Sequence, residues 1–265
     1  MNIVKIITFL TDFGTADGYV AQMKGVAASI TTARLIDLSH HISSHNICEG
    51  AFLLRCSAPC FPDGTVHVAV VDPGVGTRRK GIIVITRKQI LVGPDNGLLI
   101  PTARFLGDFI VYEISNEKYT LGTISNTFHA RDVFTPVAAH ITNEIPFEEL
   151  GQRVDDFVDL ELKDGEIHEN FGKGTVAHID KFGNVITNIP GDFLLQKISY
   201  DHKLKVQIRK KAYNIPVVPS YGHVKKGQLL VTIGSSNYLE LSLNQGSASE
   251  KLSIKQNDPI RIDFN

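Results

Sequence analysis

The chain has 265 residues, and 27 Lys and Arg against 28 Asp and Glu leave a formal net charge of −1, so bulk charge attracts neither nucleic acid nor an anionic membrane. With 43% hydrophobic and 21% charged residues, 14 Phe, 7 Tyr and no Trp, the composition is that of a globular chain able to bury a core, not of a disordered or collagen-like one. The length suits one or two domains. Cys48, Cys56 and Cys60 are odd in number and close together, a poor disulfide framework that points to a reducing compartment. Cys56 and Cys60 offer half of a zinc site, but no second pair follows at a usable spacing. The opening apolar run is broken by Lys5 and closed by Asp12, too short for a signal peptide or membrane span. A soluble, cytoplasmic protein is expected.

In chain order, Ile3–Leu10 reads as a buried strand ending in the turn Thr11-Asp12-Phe13-Gly14, and Tyr19–Ile30 has helical spacing. Strands follow at Arg34–Leu38 and Val66–Val71, with Gly50–Ala58 as the helix between them. Gly81–Ile85, Ile90–Val92 and Phe109–Ile114 add strands, and Asp132–Ile141 reads as a helix. This alternation predicts an α/β layer on a mostly parallel sheet, whose ligands gather beyond the carboxyl ends of the strands. Asp12 and Asp72 fall at that edge.

From about Gly172 the pattern changes. Thr175–Ile179, Val185–Ile189, Leu204–Ile208, Gln228–Ile233, Tyr238–Leu243 and Ile260–Phe264 read as short strands separated by turns, which predicts a small all-β barrel or sandwich. The acidic, turn-rich stretch Asp155–Asn170 marks the boundary. The expected organisation is an amino-terminal α/β domain over residues 1–165 and a carboxyl-terminal β-barrel domain over 166–265, with no internal repeat.

Two suggestive motifs carry little. Gly74-Val75-Gly76-Thr77-Arg78-Arg79-Lys80-Gly81 is not a phosphate loop, and Arg79 stands where a dinucleotide fingerprint needs its third glycine. Asp12-Phe13-Gly14 lacks the other kinase signatures. What remains is Asp12, the pair Asp72 and Arg79, Asp95-Asn96, and Thr127-Phe128-His129-Ala130-Arg131-Asp132. A structural reading makes Asp12 and Asp132 helix caps, Arg79 and Arg131 members of surface ion pairs, and His129 a partly buried, satisfied histidine. A chemical reading makes Asp, Arg and His a set for activating water: the Arg stabilises hydroxide character, the Asp orients the water, and the His accepts a proton near neutral pH.

These residues also carry a resemblance. Leu10-Thr11-Asp12-Phe13-Gly14 with Met23-Lys24-Gly25, Val71-Asp72-Pro73-Gly74-Val75-Gly76-Thr77, Val92-Gly93-Pro94-Asp95-Asn96-Gly97 and Thr127–Phe134 resemble the S-adenosyl-L-methionine hydroxide adenosyltransferase family, the hydrolytic relatives of fluorinases and chlorinases. In the tail, Ile179-Asp180-Lys181-Phe182-Gly183-Asn184-Val185, Gly234-Ser235-Ser236 and Asn244-Gln245-Gly246-Ser247-Ala248 agree, so the blocks run in family order from residue 7 to about 260.

The resemblance implies an α/β domain joined to a β-barrel domain, in a homotrimer whose substrate lies between neighbouring subunits. It implies attack of water or hydroxide at C5′ of S-adenosylmethionine, releasing adenosine and L-methionine without metal or cofactor. It assigns the water to Asp72, Arg79 and His129, and the motif selects Arg79 over Arg78. Asp12 matches the carboxylate that grips the ribose hydroxyls, and Asp180 and Asn184 match positions around the methionine or ribose. Ser235, Ser236 and Glu240 match the amino-acid end, and Leu243 and Gln245 the backbone that reads the adenine edge. Two positions depart: halogenating relatives carry an arginine where Ser236 stands and tend to have an aromatic at His45. Because this chain keeps the Asp/Arg/His set and has no insertion after Gly97, hydrolysis is preferred over halide transfer or a binding sensor without turnover.

Overall fold

The computed structural model describes residues 5–264, so Ile3 and Val4 of the first expected strand lie outside the described residues. Contacts divide the chain into two compact units, meeting in sequence at Leu162 and Lys163. In the first, β1 (Ile6–Thr11), α1 (Tyr19–Ile30), β2 (Arg34–Ser39), α2 (Ile47–Ser57) and β3 (Val66–Val70) alternate as the apolar periodicity predicts. They are followed by β4 (Gly81–Thr86), β5 (Ile90–Pro94), α3 (Ile100–Leu106), β6 (Phe109–Ile114), α4 (Thr135–Thr142), α5 (Phe147–Leu150) and β7 (Gly151–Val154). α2 starts earlier than expected because Asn46 caps it, accepting the Glu49 amide, an N-cap signature visible in the sequence.

The sheet order is β2-β1-β3-β5-β4-β6-β7. Pairings among β2, β1, β3 and β5 are parallel, whereas β5-β4, β4-β6 and β6-β7 are antiparallel. The sheet is therefore mixed rather than mostly parallel. Only Arg87–Gln89 separate β4 from β5, and a parallel connection needs a crossover of a dozen or more residues. Both faces are covered: Ile7, Phe9, Val68 and Ile83 pack with residues of α1 and α4 on one side, and Leu10, Ala69, Val71 and Val84 with residues of α2 and α3 on the other. Burial on both faces is why these strands read as continuous apolar runs.

The second unit comprises β8 (Glu166–Ile167), β9 (Phe171–Ile179), β10 (Val185–Pro190), α6 (Gly191–Lys197), β11 (Lys203–Ile208), β12 (Lys211–Pro216), β13 (Leu229–Ile233), β14 (Tyr238–Leu243), α7 (Ala248–Leu252) and β15 (Pro259–Asp263). Its antiparallel sheet runs β12-β11-β15-β9-β10-β14-β13, with β8 on β9. A bridge between Val217 and Val231 brings its two ends together, giving a nearly closed, barrel-like sheet around Val176, Val206, Leu241 and Ile262. β12 escapes the sequence pattern because this edge strand is largely exposed, with only Ile215 fully inside.

Candidate active site

Asp12, Asp72 and Asp95 follow the carboxyl ends of the neighbouring parallel strands β1, β3 and β5, the edge where ligands collect in such sheets. Arg79 lies just before β4, and His129 just before a π-helical turn, Ala130–Phe134, that leads into α4. The expected continuous helix Asp132–Ile141 is thus a π turn followed by α4, and the Thr135 hydroxyl donates to the Ala130 carbonyl across it at 2.7 Å. Such turns are frequent at functional sites.

The first unit brings Asp72, Arg79 and His129 together. Arg79 donates from Nε to Asp72 Oδ1 at 3.2 Å and from Nη2 to Oδ2 at 2.6 Å, the paired geometry of a guanidinium on a carboxylate. Nη2 also donates to His129 Nδ1 at 3.2 Å, and Nη1 to the Lys80 carbonyl at 2.9 Å. The Arg79 and Asp72 side chains are only 9% and 5% exposed, so this is a sheltered pair, not a surface one. Arg78 is exposed. The convergence depends on Gly76, whose φ is +75° and where a Cβ would lie 2.2 Å from the Asn126 carbonyl oxygen. Only glycine lets the loop after β3 approach the segment before His129 this closely.

Burial raises the Asp72 carboxyl above its ordinary range, with the Arg79 charge pulling the other way. Burial, reinforced by the Arg79 charge, lowers the His129 imidazole. His129 is therefore neutral at neutral pH. Since a guanidinium only donates, Nδ1 accepts and the ring proton resides on Nε2.

The other polar residues of this loop are structural. Asp132 is fully buried, pairs with Arg131 at 2.6 Å and accepts the Ser125 amide; Arg131 also donates to Gln22 of α1. The residue that begins the π turn, His129, has no side-chain cap bond, and neither does Gly18 at the start of α1. Neither Asp132 nor Asp12 therefore caps the helix after it. Asp12 Oδ2 instead accepts the His45 amide at 2.9 Å, with His45 at φ +66°. Phe13, Tyr19 and Phe128 pack edge to face between the Asp12 loop and the segment of His129.

The second unit holds a separate cavity of about 510 Å³, lined by Asp180, Phe182, Asn184, Tyr221, Leu243 and the turn Asn244–Gly246. Its volume falls within the roughly 300–1,000 Å³ of small-molecule sites. Asp180 Oδ1 accepts the amides of Phe182 and Asn184, both at 2.9 Å, and Oδ2 accepts the Asn184 side chain at 2.8 Å. About four lone-pair sites belong to a carboxylate, so one remains for a ligand. Gln245 adopts φ +55°, turning the backbone sharply after β14.

Glu240 does not line the cavity. It is buried, and its Oε1 accepts the hydroxyls of Tyr221 at 2.8 Å and Ser242 at 2.6 Å. Burial and that bond push the Tyr221 phenol up to about 12. Ser235 and Ser236 lie on the exposed turn between β13 and β14, outside the cavity lining. Tyr221 is the lining residue that sequence reasoning missed, because it sits in a short 3-10 turn without motif or periodicity.

A mixed α/β unit followed by a barrel-like antiparallel unit, with a carboxylate, guanidinium and imidazole joined at the strand-end loops of the first, defines a two-domain enzyme class. The model of the SAM hydroxide adenosyltransferase amino-terminal domain matches residues 7–151, and that of the carboxyl-terminal domain residues 174–261. The chain belongs to the SAM hydroxide adenosyltransferase family. It is 38% identical to the (R)-S-adenosyl-L-methionine hydrolase of Methanocaldococcus jannaschii, over 98% of this chain and 97% of that one. A solved structure of a conserved protein from Thermotoga maritima superposes with a TM-score of 0.94 at 37% identity, covering 97% of this chain and all of the other. The fluorinase of Nocardia brasiliensis is more distant, at 27% identity over 97% of this chain and 96% of its own length.

Proposed function

We propose that this protein hydrolyses S-adenosyl-L-methionine to adenosine and L-methionine by attack of water at C5′. The observation that carries the reading is the hydrogen-bonded group of Asp72, Arg79 and His129. The sulfonium is already a good leaving group, and the difficulty lies in a nucleophile whose free pKa is about 15.7. Positioning and charge stabilisation are therefore the tasks left to the protein. Asp72 orients the water and Arg79 stabilises its hydroxide character, while neutral His129 takes up the proton on Nδ1, its one basic nitrogen, as the water replaces Arg79 Nη2 there. The new bond joins the water oxygen to C5′, the C5′–sulfur bond breaks, and its electron pair stays on sulfur as the thioether of methionine.

Asp12 is assigned to the ribose diol, a two-oxygen acceptor facing two hydroxyls. The free lone pair of Asp180 suits a hydroxyl or ammonium, with Asn184 bracing it. The backbone at Leu243 and Gln245 suits the polar edge of adenine. Ser235 and Ser236, outside the lining of the Asp180 cavity, are assigned to the amino-acid carboxylate on the resemblance alone, and Glu240 acts through Tyr221. The resemblance to the family supports assigning the complete site to neighbouring copies in a homotrimer. The described residues contain no helix long and apolar enough to cross a membrane, and a cytoplasmic location is part of the proposal.

Purified protein incubated with S-adenosylmethionine in ¹⁸O-water is expected to release adenosine labelled at the 5′-oxygen. Adenosine without label, no turnover, or chloride-dependent 5′-chloro-5′-deoxyadenosine as the main product overturns the reading. Asp12→Ala is expected to raise KM about tenfold or more, since hydrogen bonds to a charged group contribute about 1.5–3 kcal/mol. An unchanged KM, measured by initial rates of adenosine release, removes Asp12 from the ribose.

A further inference from the structure

Asp95 and Asn96 stand out in the sequence, yet the water-handling group does not include them. We propose that Asn96, together with the backbone of Asp95, is a positioning residue that holds the Asp72–Arg79 pair in place for water activation. The inference rests on the hydrolytic reading above and adds a residue that touches no reacting atom.

Asn96 follows β5, which lies between β3 and β4 in the sheet. Its Nδ2 donates to the carbonyl of Val71 at 2.8 Å, the peptide oxygen immediately before Asp72. Val71 is fully buried, so its carbonyl has little recourse to water, and an unpaired buried acceptor is costly. On the other side, the Asp95 amide donates to the Lys80 carbonyl at 2.9 Å. That same oxygen accepts Arg79 Nη1, also at 2.9 Å. Two consecutive residues thus fix the backbone from which Asp72 projects and the acceptor that aims the Arg79 guanidinium.

The residue type follows from these bonds. While Nδ2 donates to Val71, Asn96 Oδ1 accepts the Leu98 amide at 3.2 Å, at the entry to α3. A carboxamide supplies donor and acceptor together at short reach. An aspartate presents two acceptors, one of them facing the Val71 carbonyl, and a serine closes the turn to Leu98 without reaching Val71. A misplacement of about 1 Å in the reacting geometry can cost up to about 10²-fold in rate.

Asn96→Ser and Asn96→Asp separate positioning from turn formation, since both retain an acceptor for Leu98. In the adenosine-release assay, each is expected to lower kcat about tenfold or more with KM within about threefold. The acid limb of the pH profile is expected to move as well, because the contacts of Arg79 with Asp72 and His129 loosen. Wild-type kcat in folded Asn96→Ser overturns the proposal. So does a rise in KM matching the fall in kcat, which makes Asn96 a substrate-binding residue, or loss of the thermal unfolding transition in both variants, which makes it a folding residue. His129→Ala in the same assay keeps the two ideas apart. If it turns over at the wild-type rate, the water-site reading falls; if it is inactive while Asn96→Ser is fully active, only the present inference falls.

Discussion

His129→Ala is expected to lower kcat for adenosine formation by about 10²–10³-fold, within the range of a positioned general base or a charge-stabilising donor, while adenosine affinity stays within about threefold. Asp72→Asn is expected to match it. The isosteric amide keeps the volume but removes the charge that Arg79 grips through two hydrogen bonds. Arg79→Lys keeps a cation yet cannot fork onto the carboxylate while also reaching the imidazole, so a loss nearly as large is expected. Exposed Arg78→Ala is expected to behave as wild type. Because the three side chains act as one hydrogen-bonded unit, the double variant of Asp72 and His129 should be little worse than either single variant.

The pH dependence of that rate has a definite sign. Burial and the neighbouring Arg79 charge hold the His129 pKa below its ordinary 6.5. The proton acceptor therefore stays available as pH falls through 6.5, and activity drops only at lower pH, as the ring becomes charged. Steady-state rates across pH check this. An acid limb at or above pH 6.5 contradicts the neutral, sheltered imidazole, and near-wild-type turnover by His129→Ala removes it from the chemistry.

Acid is also expected to weaken the first unit through a different histidine. His67 on β3 is fully buried, with Nδ1 at 2.7 Å from the Thr8 hydroxyl on β1 and Nε2 at 3.2 Å from Gln89 Oε1. Burial pushes its pKa down from 6.5 to about 4. At about 1.4 kcal/mol per pH unit, the gap corresponds to roughly 3 kcal/mol. Above pH 6.5 the ring is neutral in both states and that stability is fully present. As pH falls from 6.5 towards 4 the unfolded chain takes up a proton that the folded chain refuses, and the stability is lost. Urea unfolding at pH 7 and pH 4.5 should show the wild type losing about 2–3 kcal/mol more than His67→Gln, which lacks the titrating ring. Equal losses in the two proteins rule out His67 as the acid-sensitive group.

Much of this architecture was legible along the chain. Tyr19–Ile30, Phe109–Ile114 and Tyr238–Leu243 have the bounds that their apolar spacing predicts, because a residue's neighbours at one periodicity decide which face it buries. Less legible were the short helices α3, α5, α6 and α7 and the exposed edge strand β12, whose few turns or polar faces leave no period to read. The antiparallel half of the first sheet was likewise hidden, since apolar runs state burial and not direction.

The site divides in the same way. Asp12, Asp72, Arg79 and His129 of the proposed site were singled out by their resemblance to the family motifs, which also selected Arg79 over Arg78. The capping alternative for Asp12 fits the sequence, but the carboxylate holds the His45 amide instead. Glu240 sat within a recognisable stretch, yet it lies under Tyr221 rather than at the cavity surface. The sequence by itself determined the longer, strongly periodic elements, which loops carry polar groups and which residue types are available for chemistry, because those properties depend on near neighbours. Only the tertiary structure decided that residues fifty positions apart, Arg79 and His129, share a hydrogen bond. That meeting depends on strand order and on one glycine backbone touching another loop, and neither is recorded in local periodicity.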